Sequence, residues 1–238
     1  MTATPATETP GTTEGTERPE STGGYEPTAL TVPSRSRDRA RYDRETVHSI
    51  LDAAYICHLG FIRDGAPVVL PTLFARVGES LYMHGSTGSR PLLAAGRTDP
   101  GLPVCVTVTH VDGLVLARSA FHHSLNYRSV VVHGTAHQVT DEAECRTALD
   151  AMVDAVAPGR AADIRPANAK ELAATAVIRV DLIEVSAKLR TGPSNDDAED
   201  LGLPHWAGVI PVAPVYGTPV PAADLAPGID LPDYLAAL

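Results

Sequence analysis

Long apolar runs are missing from this chain of 238 residues: none approaches the ~18 residues needed to cross a bilayer, so a soluble protein is expected. Paired cysteines are missing as well. Cys57, Cys105 and Cys145 stand singly, with no CxxC spacing, which excludes a zinc knuckle or a redox dithiol and fits a reducing, cytoplasmic setting. There is no GxGxxG or GxxxxGK[ST] after a parallel-type strand and no GxSxG elbow, so Rossmann, P-loop and serine-hydrolase sites are not expected. Positive charge is in deficit: the formal net charge is -10, which argues against nucleic acid as a partner. Nine histidines invite a metal, but their spacing is poor. His133 and His137 in one strand would lie ~13 Å apart, while His122 and His123 would point to opposite faces, so no metal site is expected.

What is present divides the chain into three. Residues 1–34 are mostly Thr, Pro, Glu and Gly, too poor in large apolar side chains to offset the entropy of ordering, and read as a disordered acidic arm. It has neither the apolar core of a secretory signal nor the composition of a transit peptide. Residues 35–190 form the folded domain. Residues 191–238 are rich in Pro and Asp, hold the lone tryptophan, Trp206, and are expected to pack on the domain or on a partner subunit. Where arm meets domain, Arg35, Arg37, Arg39, Arg41 and Arg44 cluster; they read either as a solvated lead-in to the first helix or as a contact for an anion or a partner.

Within the domain, Val47, Ile50, Leu51 and Ala54 recur at helical spacing over residues 45–54. Strands follow at 55–63 and 66–77 around Asp64-Gly65, a tight-hairpin pair, and at 80–84. A short helix is expected over 90–97, with Pro91 in its first turn. The pattern then predicts a second hairpin, strands 102–110 and 114–121 around Asp112-Gly113, and a strand over 127–139. Helices are expected over 141–156 and 168–175, and one last strand over 176–189. Consecutive antiparallel strands with late helices point to a β-barrel with peripheral helices.

Two segments carry candidate chemistry. In Gly85-Ser86-Thr87-Gly88-Ser89-Arg90, glycines let amides approach an anion, hydroxyls donate to it, a helix start adds its dipole, and Arg90 offers a bidentate fork. A serine-capped strand-to-helix junction uses the same residue types, so spacing alone leaves both readings open. In Ser124 to Val130, Tyr127 and Ser129 share one strand face and Arg128 takes the other, which suits a ligand wall or an ordinary strand equally. His84, beside the turn, could hydrogen-bond a cofactor.

In these residues the chain resembles the flavin-binding split-barrel family of pyridoxamine 5'-phosphate oxidase, and within it the nitroimidazole-resistance-like branch. The similarity runs from about Arg35 to Pro211, through GAPVVLPTLFARVGESLYMHGSTGSR, DGLVLARSAFHHSLNYRSVVVHG, ELAATAVIRVDL and SAKLRTGPSNDD followed by HWAGVIP. The resemblance implies an antiparallel six-stranded split barrel, a homodimer, and FMN at the subunit interface. It places Leu70, Pro71 and Thr72 beside the flavin ring, Ser86, Ser89 and Arg90 on its phosphate, and Tyr127, Arg128, Ser129 and Trp206 along its flank. His84, His123 and Tyr127 are then candidate proton donors. The implied activity is FMN-dependent oxidation or reduction of a small, for instance nitroaromatic, molecule; a flavin sensor without turnover, or the same barrel holding the deazaflavin F420 or haem, are the alternatives. Two departures separate the chain from vitamin B6 oxidation: Ser129 stands where the oxidase pattern has glutamine, and Ile210-Pro211-Val212 replaces its late arginine segment.

Overall fold

Asp64 and Gly65 both adopt positive φ, 51° and 79°, as a two-residue type I′ turn requires. They fold β2 (Ile56–Arg63) back on β3 (Ala66–Val77), with Arg63 opposite Ala66. The computed structural model describes residues 23–97 and 100–238, the side chains of Arg90, Leu92 and Leu93 excepted; most of the expected acidic arm, residues 1–22, lies outside it. The end of that arm is packed. Tyr25, the only aromatic residue before position 35, is 5% exposed; its hydroxyl donates to Glu79 at 2.9 Å and meets His48 Nε2 at 3.0 Å. Buried Thr31, whose carbonyl accepts from the Tyr42 hydroxyl at 3.1 Å, adds a second anchor, and such tertiary contacts order a stretch whose average composition argues for disorder.

Ahead of β2 come β1 (Ala40–Arg41) and α1 (Arg44–Asp52), which Asp43 caps by accepting from the Thr46 amide. After β3 come β4 (Ser80–Ser86), α2 (Arg90–Arg97), β5 (Leu102–Leu116) and β6 (Ser124–Gln138). Three helices follow, α3 (Glu142–Val156), α4 (Arg160–Asp163) and α5 (Ala169–Ala174), then β7 (Thr175–Asp181), β8 (Glu184–Arg190), β9 (Gly208–Pro211) and α6 (Asp233–Ala236). All pairings are antiparallel. The order β6-β7-β4-β3-β2-β5 closes through β5–β6 into a ring of six strands, with β8 and β1 added beside β6, and β9 beside β5.

Alternation along the strands fills this ring. Cys57, Leu59 and Phe61 of β2, Phe74 of β3, Leu81 and Met83 of β4, Val106 and Val108 of β5 and Val130 and Val132 of β6 are buried inside it, together with Val47, Ile50 and Leu51 of α1. The other face of β2 carries Ile56, His58 and Ile62 to the surface. A second cluster lies outside the ring, where Ala148 and Met152 of α3 cover Ala75, Tyr82 and Val177. Tyr82 fastens that helix by donating to Glu144 at 2.8 Å, and Arg179 donates to the same oxygen at 3.1 Å.

Two expectations are corrected. Asp112-Gly113 makes no hairpin: β5 runs through it as one strand, with a register shift between Val111 and Gly113. Asp112 is held instead by Arg128, whose Nε and Nη2 donate to its carboxylate at 3.0 Å, and Gly113 leaves room for β9, since a Cβ there would come within 2.9 Å of Val209 and 3.3 Å of the Ile210 carbonyl. The expected strand over 176–189 is two, β7 and β8, broken at Leu182-Ile183. Gly113→Val should therefore destabilise the protein by about 1–3 kcal/mol through overpacking. Urea denaturation reads the loss; adding Val209→Ala should restore part of it, and an unchanged midpoint would refute the close-approach account.

The tail leaves β9 and returns: Tyr234 of α6 donates to Asp163 at 2.7 Å and accepts from Arg160 at 3.0 Å. Between these anchors Val215 and Val220 are 90% and 89% exposed. No described helix is long and apolar enough to cross a membrane.

Candidate functional site

The turn after β4 is built by its own hydrogen bonds. Ser86 lies opposite Thr175 of β7, and the amides of Thr87, Gly88 and Ser89 donate to the Ala174 carbonyl at 3.1 Å, to Ser86 Oγ at 3.2 Å and to the Ser86 carbonyl at 2.8 Å. These amides are committed within the fold and do not form the open cradle that the two glycines suggest. Still available among the described residues are the Thr87 and Ser89 hydroxyls and the first amides of α2, which have no partner within the helix. A helix start flanked by two hydroxyls remains a fitting anion site. Arg90 opens α2; its side chain is outside the described set.

β3 pairs with β4 as far as Phe74 opposite Met83, where that ladder ends; Leu70, Pro71 and Thr72 precede it and pair with Leu59, His58 and Cys57 of β2. Leu70 is partly exposed there, at 38%. His84 turns the other way, its Nδ1 3.1 Å from Met152 Sδ under α3. Burial lowers its pKa, so the folded protein holds it neutral more firmly than the unfolded chain does. The unfolded chain then binds the extra proton, and stability falls as pH drops below the ordinary histidine value of about 6.5. His84→Gln should flatten that acid limb of a urea-midpoint profile; an unaltered limb would refute it.

The second expected wall does not adjoin the first. Tyr127 and Ser129 do share one face, with Arg128 on the other in its ion pair with Asp112. Yet they pair with Val111 and Thr109 of β5, whereas it is Gln138, at the far end of β6, that lies against α2 beside Gly96. Eleven residues of strand separate Tyr127 from Gln138, a path of roughly 36 Å at ~3.3 Å per residue. Trp206 is likewise remote: it stacks over Gly208, and β9 pairs with Leu116 at the end of β5 opposite Leu102. His123 sits at that remote end too, its Nδ1 2.9 Å from the Ser119 carbonyl, and neighbouring His122 meets Asp197 at 3.1 Å. Within one chain, then, His84, Ser86, Ser89 and Arg90 lie toward one end and His123, Tyr127, Arg128, Ser129 and Trp206 toward the other; Leu70, Pro71 and Thr72 lie between, since Pro71 pairs with His58, His58 with Thr107 and Thr107 with Val131.

Two residues escaped the sequence reading. His58 is exposed on the outer face of β2, between Ile56 and Gly60 and opposite Pro71 and Thr107, with no hydrogen-bond partner among the described residues. Strand alternation in Ile56 to Arg63 could have placed it outside. Arg190 is 9% exposed at the end of β8; nothing in a lone arginine signals burial. The thiol of Cys57, inside the ring, is pushed up to about 12 by burial, which makes it inert.

A model of the pyridoxamine 5'-phosphate oxidase family matches residues 43–189. Among solved structures, the flavocytochrome Anf3 of Azotobacter vinelandii is 40% identical, over 90% of this chain and 98% of that one, with a TM-score of 0.82. The FAD and haem binding protein of Mycobacterium smegmatis is also 40% identical, over 84% of this chain and 96% of that one, with a TM-score of 0.78. A candidate 5-nitroimidazole antibiotic resistance protein of Bacteroides thetaiotaomicron, 22% identical over 63% of this chain and 85% of that one, shares the fold at a TM-score of 0.51. No curated protein matches the chain. A family match spanning the whole six-stranded ring, together with two structures 40% identical over most of the chain, shows that the chain belongs to the pyridoxamine 5'-phosphate oxidase family.

Proposed function

We propose that this protein is a flavin-dependent oxidoreductase that also carries haem, working as a homodimer in a reducing cytoplasm. The observation that carries the cofactor pair is that two proteins, each 40% identical over at least 84% of this chain, are a flavocytochrome and an FAD and haem binding protein. The sequence resemblance implies FMN; the Mycobacterium smegmatis relative favours FAD. Either flavin presents a phosphate to the same turn. The dimer is implied by the sequence resemblance, and the geometry is compatible with it: the 85–90 turn and Tyr127 lie toward opposite ends of β6, and a second copy supplying Tyr127, Ser129 and Trp206 would close the site.

In this reading Thr87, Ser89 and the start of α2 hold the flavin phosphate, and Leu70 to Thr72 lie along the ring. Tyr127, Ser129 and Trp206 of the second copy close its flank. Bound flavin would supply electron transfer to a small-molecule substrate, with haem as a one-electron partner. One way to hold a haem is an imidazole with a free nitrogen beside an apolar surface. Among the described residues His58 is so placed, flanked by Ile56 at 42% and Val69 at 61% exposure on the same outer face.

Purified protein should carry flavin and haem absorbance, and chromatography of the released flavin separates FAD from FMN and F420. Sedimentation should give twice the chain mass. A colourless protein that takes up neither FAD, FMN nor haemin on titration overturns the cofactor assignment, and a monomer overturns the shared site. Flavin that is bound but never reduced by nicotinamide donors or reoxidised by acceptors would favour a sensor without turnover.

A further inference from the structure

A cavity of about 280 Å³ opens where the short helical turn Arg37–Arg39 and β1 meet the end of β8. It is lined by Arg39, Arg41, Arg190, Asp38, Thr191 and Asn195, with two further residues of apolar character. Three guanidinium groups against one carboxylate leave two positive charges in excess. Among the described residues none of the three arginines has a carboxylate in ion-pair contact. Arg41 spends Nη1 on the Asp38 and Ala40 carbonyls, both at 2.7 Å. Arg190 reaches only neutral acceptors: Asn126 Oδ1 at 2.5 Å and the carbonyls of Gly192 and Pro193 at 3.3 and 2.9 Å.

Burying a guanidinium against neutral acceptors alone is costly. A buried cation without a counter-charge loses its hydration and recovers it only in part from carbonyl dipoles, and Arg190 is 91% buried. Its bonds to Asn126, Gly192 and Pro193 hold it rigidly, so it is oriented in advance, as guanidinium sites for oxyanions are. Arg39 and Arg41 arrive from another element, fixed by Ala40 opposite Lys188 and Arg41 opposite Ala187. Thr191 and Asn195 add neutral donors. The volume is ample for a phosphoryl or dicarboxylate group.

We propose that this cavity is a receptor for a doubly charged oxyanion, a phosphoryl or carboxylate group of a bound molecule, distinct from the turn at residues 85–90. Two sources share that chemistry: an acidic arm of a cofactor, as in the diphosphate of FAD or the carboxylates of haem, and a free small anion. Arg190 pairs with Tyr127 and Leu189 with Arg128, so the receptor borders the strand assigned above to a flavin flank. Only the identification of the source rests on that assignment.

Inorganic pyrophosphate titrated calorimetrically into the cofactor-free full chain tests the receptor. Binding should weaken at least tenfold in the double variant Arg39→Gln, Arg41→Gln, whose side chains are not buried and whose thermal midpoint should hold. Binding should persist in Ser89→Asp, which places a carboxylate in the other anion site. No binding to the parent chain, equal affinity in the double variant, or loss in Ser89→Asp alone overturns the proposal. Repeating the titration on chain loaded with FAD, and separately with haem, identifies the source. Competition by one of them assigns the receptor to that cofactor, and undiminished binding in both assigns it to a free anion. A chain that binds no cofactor would refute the flavin–haem reading while the pyrophosphate titration still decides this one.

Discussion

Ser89→Asp should weaken flavin binding about a hundredfold while leaving folding stability where it is or slightly higher. The two effects separate because they act on different things. Ser89 immediately precedes α2, and serine and aspartate are about equally good at that position, the aspartate adding a favourable interaction with the helix dipole. The same carboxylate stands where the flavin phosphate would sit. Two unit charges 4 Å apart repel by about 4 kcal/mol at an effective dielectric of 20, and ionic screening reduces this toward the ~2.7 kcal/mol that a hundredfold change represents. Fluorescence titration with FMN and FAD at low and physiological salt measures it, and the loss should shrink as salt rises. An affinity equal to that of the parent protein would remove the phosphate from this turn.

The largest stability effect is expected at the centre of the ring. Phe74→Ala should cost about 3–5 kcal/mol in urea denaturation, the range for emptying an aromatic site in a packed core. Phe74 is fully buried, faces Met83 across the β3–β4 pair, and its amide donates to the Tyr55 carbonyl at 3.1 Å. Relaxation around the hole is limited because each of the six surrounding strands is hydrogen-bonded on both sides; the upper half of the range is therefore expected. Ile62→Ala, on the outward face of β2 and 63% exposed, should change stability by less than about 0.5 kcal/mol in the monomer. A Phe74→Ala loss below 1 kcal/mol would mean that the ring collapses readily, against its closed pairing.

Local chemistry was legible wherever neighbours in sequence decide the outcome. The turn at Asp64-Gly65, the span of β3, the start of α3 at Asp141 and the helix after Ser89 were all readable from turn residues, alternation and caps. Asp112-Gly113 is the same dipeptide with the opposite result. There the long-range partners Arg128 and β9 hold the chain straight, and a two-residue signal cannot report them. The break at Leu182-Ile183 was hidden because both residues are apolar and neither marks a turn. The site divides in the same way. That Tyr127 and Ser129 share a face follows from strand period, but their distance from the 85–90 turn depends on which end of β6 meets α2, and strand pairing alone decides that. Arg190 is a charged residue at a strand end until Asn126, from β6, and the turn at Gly192 and Pro193 close around its guanidinium.

The two rims of the sheet bear on how copies of this chain can meet. One rim is β1, two residues long, and the other is β9, four residues long and closed by Pro211, which has no amide hydrogen to offer. Neither presents the row of free donors and acceptors on which a neighbouring strand could zip. Sheet extension from these two rims is thereby disfavoured, as is the seeding of fibrils from them. In the dimer proposed above, a second copy meeting this chain broadside rather than at a rim would gain affinity from shape and water release, a contact that can be reversed without unravelling a strand.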